Sequence, residues 1–217
     1  MALALLGALI VFATLCFRLG HLPLLQPDEG RNAEVGREMK ESGAWLVPTY
    51  NGVAYLDKPA FYFKAVALSL ALNGNTEAAA RMPSAAFGVG LVLLVFGFCR
   101  KVYGTRCALL AAIIVGTTPL YLANARIVIF DIALAFFVCG AIFAGYLAEA
   151  AEGRARRGWY LLGALSAGLA TLVKGPVGFL IPVLVLLVFN RVEDRRGAWK
   201  RLFAPLNLLV FLGVTLP

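Results

Sequence analysis

The stretch Ile127–Ala148, IVIFDIALAFFVCGAIFAGYLA, decides the fold class, because it runs for 22 residues with Asp131 as its one charged side chain. A helix crossing a bilayer needs about 20 mainly apolar residues. Six further runs approach that length: Ala2–Phe17, Pro83–Cys99, Cys107–Ala125, Trp159–Val173, Gly175–Asn190 and Leu202 to Pro217. Glycine, proline or charged residues separate them, and short gaps such as Arg100–Arg106 predict antiparallel neighbours. None of the runs alternates as the strands of a membrane barrel do. The expectation is an all-α, polytopic helical bundle with about seven spans, near 2–17, 83–99, 107–125, 127–148, 159–173, 175–190 and 202–217.

The composition agrees. Hydrophobic residues make up 61% of the 217 residues and charged residues 15%, against about 45–50% and about 25% in soluble domains. Mean hydropathy is +0.82. Disorder needs the opposite balance. The net charge of +8 is split among short gaps and forms no basic face, which argues against a nucleic-acid partner. Cys16, Cys99, Cys107 and Cys139 lie in or beside apolar runs without paired spacing, and His21 is the single histidine, so no zinc site is expected. The first run lacks a basic lead and a small-residue cleavage site, so it reads as a retained helix rather than a signal peptide. The last run is still apolar at Pro217, the pattern of an N-terminal portion of a longer protein.

Basic residues orient the bundle. The gaps after the second, fourth and sixth spans hold Arg100, Lys101, Arg106, Arg154, Arg156, Arg157, Arg191, Arg195, Arg196, Lys200 and Arg201, opposed by four acidic residues. Those gaps and the N-terminus are assigned to the cytoplasm. The long loop near 20–82 and the gaps around Arg126 and Lys174 then face outward.

A loop of that length is uncommon without a function. Its first helical piece starts at Pro27-Asp28-Glu29 and ends at Ser42, with Gly43 at the C′ position. It is too polar to span and reads as lying on the membrane surface. Residues 60–72 form a second, apolar piece, too short to span. Asp28 reads as the N-cap of the first piece, with Glu29 suiting the helix dipole; the pair is also available as a general base and positioning group. Lys58, in Leu56-Asp57-Lys58-Pro59, either anchors the second piece, pairs with neighbouring Asp57, or binds a lipid phosphate. Arg126 and Asp131 read as an ion pair or as cavity-facing charges, and Lys174 as a snorkelling or phosphate-binding lysine. Three acids and three bases on one face suit a substrate that carries phosphate and a group to be deprotonated.

These residues resemble those of the bacterial membrane glycosyltransferases of the aminoarabinose (lipid A) transferase and protein mannosyltransferase superfamily. The resemblance rests on Pro27-Asp28-Glu29-Gly30-Arg31 followed by Ala33 and Glu34, on Asp57-Lys58-Pro59, on Arg81-Met82-Pro83-Ser84, on Arg126 and Asp131, and on Lys174-Gly175-Pro176. It implies a GT-C fold with a long first outer loop, in the bacterial inner membrane, with the active site facing the periplasm. The implied reaction moves a sugar from a polyprenyl-phosphate donor to lipid A, a related glycan lipid or a protein. By this likeness Asp28 is the catalytic carboxylate and Asp131 a second one. Lys58, Arg31 and Lys174 bind the donor phosphate, with Glu29, Asp57 and Arg126 in support. Many relatives carry Glu before the lysine and use it toward a divalent metal; Asp57 is one methylene shorter. The alternative readings are a transporter or lipid flippase without transferase activity, and a scaffold packed through the small residues of Gly88–Gly97 and Gly163–Gly168.

Overall fold

The computed structural model describes residues 2–195 and 197–216. In chain order its elements are α1 (Ala2–Cys16), α2 (Asp28–Ser42), β1 (Thr49–Tyr50), β2 (Val53–Ala54), α3 (Phe61–Asn73), α4 (Glu77–Tyr103), α5 (Thr105–Thr117), α6 (Pro119–Asn124), α7 (Asp131–Ala150), α8 (Gly153–Lys174), α9 (Val177–Val192), α10 (Ala198–Leu202) and α11 (Pro205–Thr215). The chain divides after Phe136 into two compact units. α4 and α7 are each long and apolar enough to cross a membrane, by length and composition.

In the first unit, α4 packs against α1, α3 and α5, and α2 packs on α3. The buried side of α2, Val35 and Met39, meets a core that includes Tyr62, Phe63 and Val66 of α3. Gly36 permits that approach, because a Cβ there would lie 2.6 Å from Cγ1 of Val66. α4 starts six residues before the expected Pro83. Thr76 supplies the reason, since its side chain caps the helix by accepting the Ala79 N–H at 3.1 Å. Pro83 then sits inside the helix and cannot donate to the Ala79 carbonyl. The Ser69 hydroxyl of α3 donates to that carbonyl instead, at 2.6 Å.

The run Cys107–Ala125 is not one helix. Thr118 precedes Pro119 and takes an extended conformation (φ −64°, ψ 123°), as the proline ring demands of the residue before it. The chain therefore stops α5 and restarts as α6. Residues 127–130 are likewise outside any helix, and α7 begins only at Asp131. In the second unit α8 packs against α9 and α11; of the last apolar run, Leu202 ends α10 and Pro205–Thr215 form α11.

Candidate active site

Asp28 is the first residue of α2, not its cap: Pro27 holds the cap position, and no side chain bonds to the helix end there. The Asp28 carboxylate is exposed and forms an ion pair with Arg31, one turn on. The Arg31 guanidinium lies over the ring of Tyr55, 5.9 Å from its centroid. The Tyr55 hydroxyl donates to Asp57 at 3.3 Å, and Asp57 pairs with Lys58 at 3.1 Å. A continuous polar chain thus runs from Asp28 to Lys58 across the start of α2. Within it, the Arg31 Nε–H is buried and meets no acceptor. An unpaired buried donor on a guanidinium is costly unless a ligand oxygen completes it.

A hairpin brings the two halves of this chain together. Asn51 and Gly52 have φ of 53° and 75°, the backbone of a two-residue primed turn, and Thr49 pairs with Ala54. Glu38 of α2 fastens that turn, accepting from the Thr49 hydroxyl at 2.6 Å and from the N–H groups of Asn51 (2.6 Å) and Gly52 (3.2 Å). Those bonds, the Thr49 hydroxyl foremost, hold the Glu38 carboxyl below its ordinary range. The Tyr55 ring packs edge-on against Tyr50 and Phe63. Partial burial pushes the Tyr55 phenol up, opposed by Arg31 and reinforced by Asp57 and Asp28. Lys58, followed by Tyr55 and Arg31, lowers the Asp57 carboxyl.

Glu29 parts company with its neighbour Asp28. It is buried, with a side chain 3% exposed, and forms a two-pronged bridge to buried Arg81 of α4 at 2.7 and 3.0 Å. Arg81 also donates to the carbonyls of Leu19 (2.7 Å), Leu22 (2.8 Å) and Pro23 (3.0 Å). Burial works to raise the Glu29 carboxyl, but Arg81 and the N–H groups of Leu25 and Val128 outweigh it, so its affinity for protons falls below normal. Asn32, one turn along α2, donates to the Val128 carbonyl at 2.9 Å while Glu29 accepts the Val128 N–H at 3.1 Å. The two side chains therefore grip residue 128 as a neighbouring strand would. Next to them Tyr62, Ser84 and the Ile129 carbonyl form a buried polar relay.

Arg126 has a different task from the expected ion pair. It donates to the carbonyls of Thr14 (2.6 Å), Leu15 (2.9 Å) and Phe17 (2.7 Å), the acceptors left over at the end of α1. Asp131 opens α7 and is half-buried, whereas Lys174 closes α8 in the second unit. Of the residues singled out from the sequence, Asp28, Arg31, Asp57 and Lys58 thus share one site, and Glu29 and Arg126 serve the scaffold around it. Tyr55, Asn32 and a role for Arg81 were missed. The Asn51-Gly52 pair was the available clue to Tyr55, because a primed hairpin turn folds the following residues back over α2. Among the described residues no group of three metal-ligating side chains gathers, and Asp57 is engaged by Lys58 and Tyr55.

The model of the dolichyl-phosphate-mannose-protein mannosyltransferase family matches residues 1–216. The chain belongs to that family. Similar curated proteins include an undecaprenyl phosphate-alpha-4-amino-4-deoxy-L-arabinose arabinosyl transferase from Edwardsiella ictaluri. It is 33% identical over 198 residues, covering 89% of this chain and 35% of that protein. A second protein of that name, from Pseudomonas fluorescens, is 31% identical over 222 residues, 100% of this chain and 39% of its own length. The crystal structure of ArnT from Cupriavidus metallidurans bound to undecaprenyl phosphate superposes with a TM-score of 0.93 at 30% identity, over 100% of this chain and 40% of that one. The apo form gives 0.91 at 31% identity. This member of the mannosyltransferase family spans little more than a third of the length of the curated relatives it matches. Its fold is the all-α membrane bundle of the GT-C type.

Proposed function

We propose that this chain forms the donor-binding portion of a polyprenyl-phosphate-dependent glycosyltransferase of the bacterial inner membrane, working on the periplasmic face. The acceptor is lipid A or a related glycan lipid, with a protein as the remaining candidate. The observation that carries this reading is the Asp28–Arg31–Tyr55–Asp57–Lys58 chain with its unfilled, buried Arg31 Nε–H. A carboxylate beside two cations and an unsatisfied donor matches the needs of a phosphate-linked sugar. The undecaprenyl phosphate bound by the similar Cupriavidus metallidurans protein supports the same donor class.

In the proposed reaction the acceptor oxygen attacks the anomeric carbon as the bond from that carbon to the phosphate oxygen breaks. The configuration inverts, and polyprenyl phosphate leaves. Lys58 and Arg31 stabilise the negative charge growing on that phosphate. Asp28 takes the proton of an acceptor hydroxyl or orients an acceptor that is itself a phosphate. Asp131 is the second carboxylate of the reaction, and Asp57 orients Lys58.

The test uses the full-length protein in proteoliposomes with a polyprenyl-phosphate sugar and lipid A. Asp28→Asn is expected to abolish transfer while membrane insertion persists. Lys58→Ala is expected to raise KM for the donor. Near-normal transfer by Asp28→Asn, or unchanged donor affinity in Lys58→Ala, overturns the assignment.

A further inference from the structure

We infer that the second unit carries a binding site for an anionic phospholipid, at its arginine-rich end. Two cavities meet there. One, of about 170 Å³, is lined almost wholly by apolar side chains of α7, α8, α9 and α11, among them Ala141, Ala164, Leu186 and Phe211. The other, of about 480 Å³, is lined by Arg156, Arg157 and Arg201. Tyr160 and Asn207 border both, so the basic cavity opens beside the apolar one.

The charge at this junction is organised. Arg201 is fixed by the buried carboxylate of Glu149, at 2.6 Å from Nη2, and the Tyr160 hydroxyl donates to the same carboxylate. Asn207 donates to the Arg201 and Leu202 carbonyls at 2.9 and 3.1 Å, which ties the start of α11 to the end of α10. Arg156 is held by its Nε bond to the Ala151 carbonyl at 2.8 Å. Glu149 offsets the charge of Arg201, and Arg156 and Arg157 add two more cations to the cavity lining. Arg154, Arg156 and Arg157 crowd the start of α8, where the dipole disfavours cations and the first turn holds no acidic residue, Glu152 standing at the N-cap. Guanidinium forks match phosphate oxygens in pairs. A phosphodiester headgroup in the basic cavity with the start of an acyl chain in the apolar one satisfies both halves. Free phosphate would use only the first, and an acidic peptide would leave the second empty. By the charge rule this end lies in the cytoplasmic leaflet, where anionic lipids meet basic pockets between helices.

The test is independent of sugar transfer, because it needs neither donor nor acceptor. Full-length protein in detergent is titrated with dioleoyl phosphatidylglycerol or dioleoyl phosphatidylcholine and read by native mass spectrometry. Phosphatidylglycerol is expected to bind selectively, and Arg156→Gln with Arg157→Gln to weaken it about thirtyfold, near fivefold for each arginine. Arg154→Gln, outside the cavity lining, should change it less than about twofold. Ala164→Phe should weaken the dioleoyl lipid but not its dihexanoyl analogue, and it keeps the proposal testable if the double variant does not insert. Equal binding of the two headgroups, an equal loss in Arg154→Gln, indifference to Ala164→Phe, or displacement of the lipid by glycerol phosphate overturns the proposal.

Discussion

Replacing Arg81 by Met removes the group that joins α4, α2 and the chain leaving α1. The substitution nearly conserves length and leaves the Glu29 carboxylate buried with its strongest partner gone. Breaking a buried pair from one side costs about 3–5 kcal/mol. Three carbonyls, those of Leu19, Leu22 and Pro23, lose their donor in the same step. The buried Leu19 carbonyl left unpaired adds about 1–3 kcal/mol, whereas water reaches the part-buried Leu22 and Pro23 carbonyls. The expected loss is therefore about 5 kcal/mol, near the upper end for one residue. The double variant Glu29→Met, Arg81→Met separates the pair from its surroundings. A simple buried pair replaced by apolar residues is often neutral. Here the N–H groups of Leu25 and Val128 and the three carbonyls remain without partners, so the double variant should recover only part of the loss. Equilibrium unfolding of full-length protein in mixed micelles measures both. The pH dependence adds a check with a definite sign. Because Glu29 holds its proton less tightly when folded, its contribution is full above the ordinary carboxylate pKa and is lost as pH falls through the lower, folded value. Arg81→Met should flatten that acid limb. A double variant as stable as the parent, or an unchanged acid limb, refutes the reasoning.

Three further outcomes follow from the same contacts. Tyr55→Phe keeps the ring beneath Arg31 but loses the bond to Asp57, so kcat/KM of the full-length protein in the proposed sugar transfer should fall about tenfold, or ~1.4 kcal/mol, and Tyr55→Ala further; equal activities in Tyr55→Phe and the parent would remove the hydroxyl from the site. Ser69→Ala leaves the Ala79 carbonyl, already deprived by Pro83, without a donor, and should cost about 1–3 kcal/mol in unfolding assays. Arg126→Leu uncaps three carbonyls at the end of α1 and should cost about 1–2 kcal/mol, with faster amide exchange confined to residues near Phe17; exchange unchanged there would contradict the capping role.

Local order in the sequence determined a good deal. Helix α2 ends where Gly43 adopts φ 70° and its N–H reaches the Met39 carbonyl, which the glycine after Ser42 announced. The apolar runs determined the all-helical membrane class, since a backbone in lipid must satisfy its own polar groups. Asp57 with Lys58 was legible because the two are joined by one peptide, whereas the Asp28–Arg31 pair, one helical turn apart, was not read. Only the tertiary structure decided what Glu29 and Arg126 do. Glu29 meets Arg81 from 52 positions away, and Arg126 reaches carbonyls 109 to 112 positions back. A charged side chain in a buried setting takes its role from whichever distant groups compensate its desolvation, and no periodicity in the chain records which those will be.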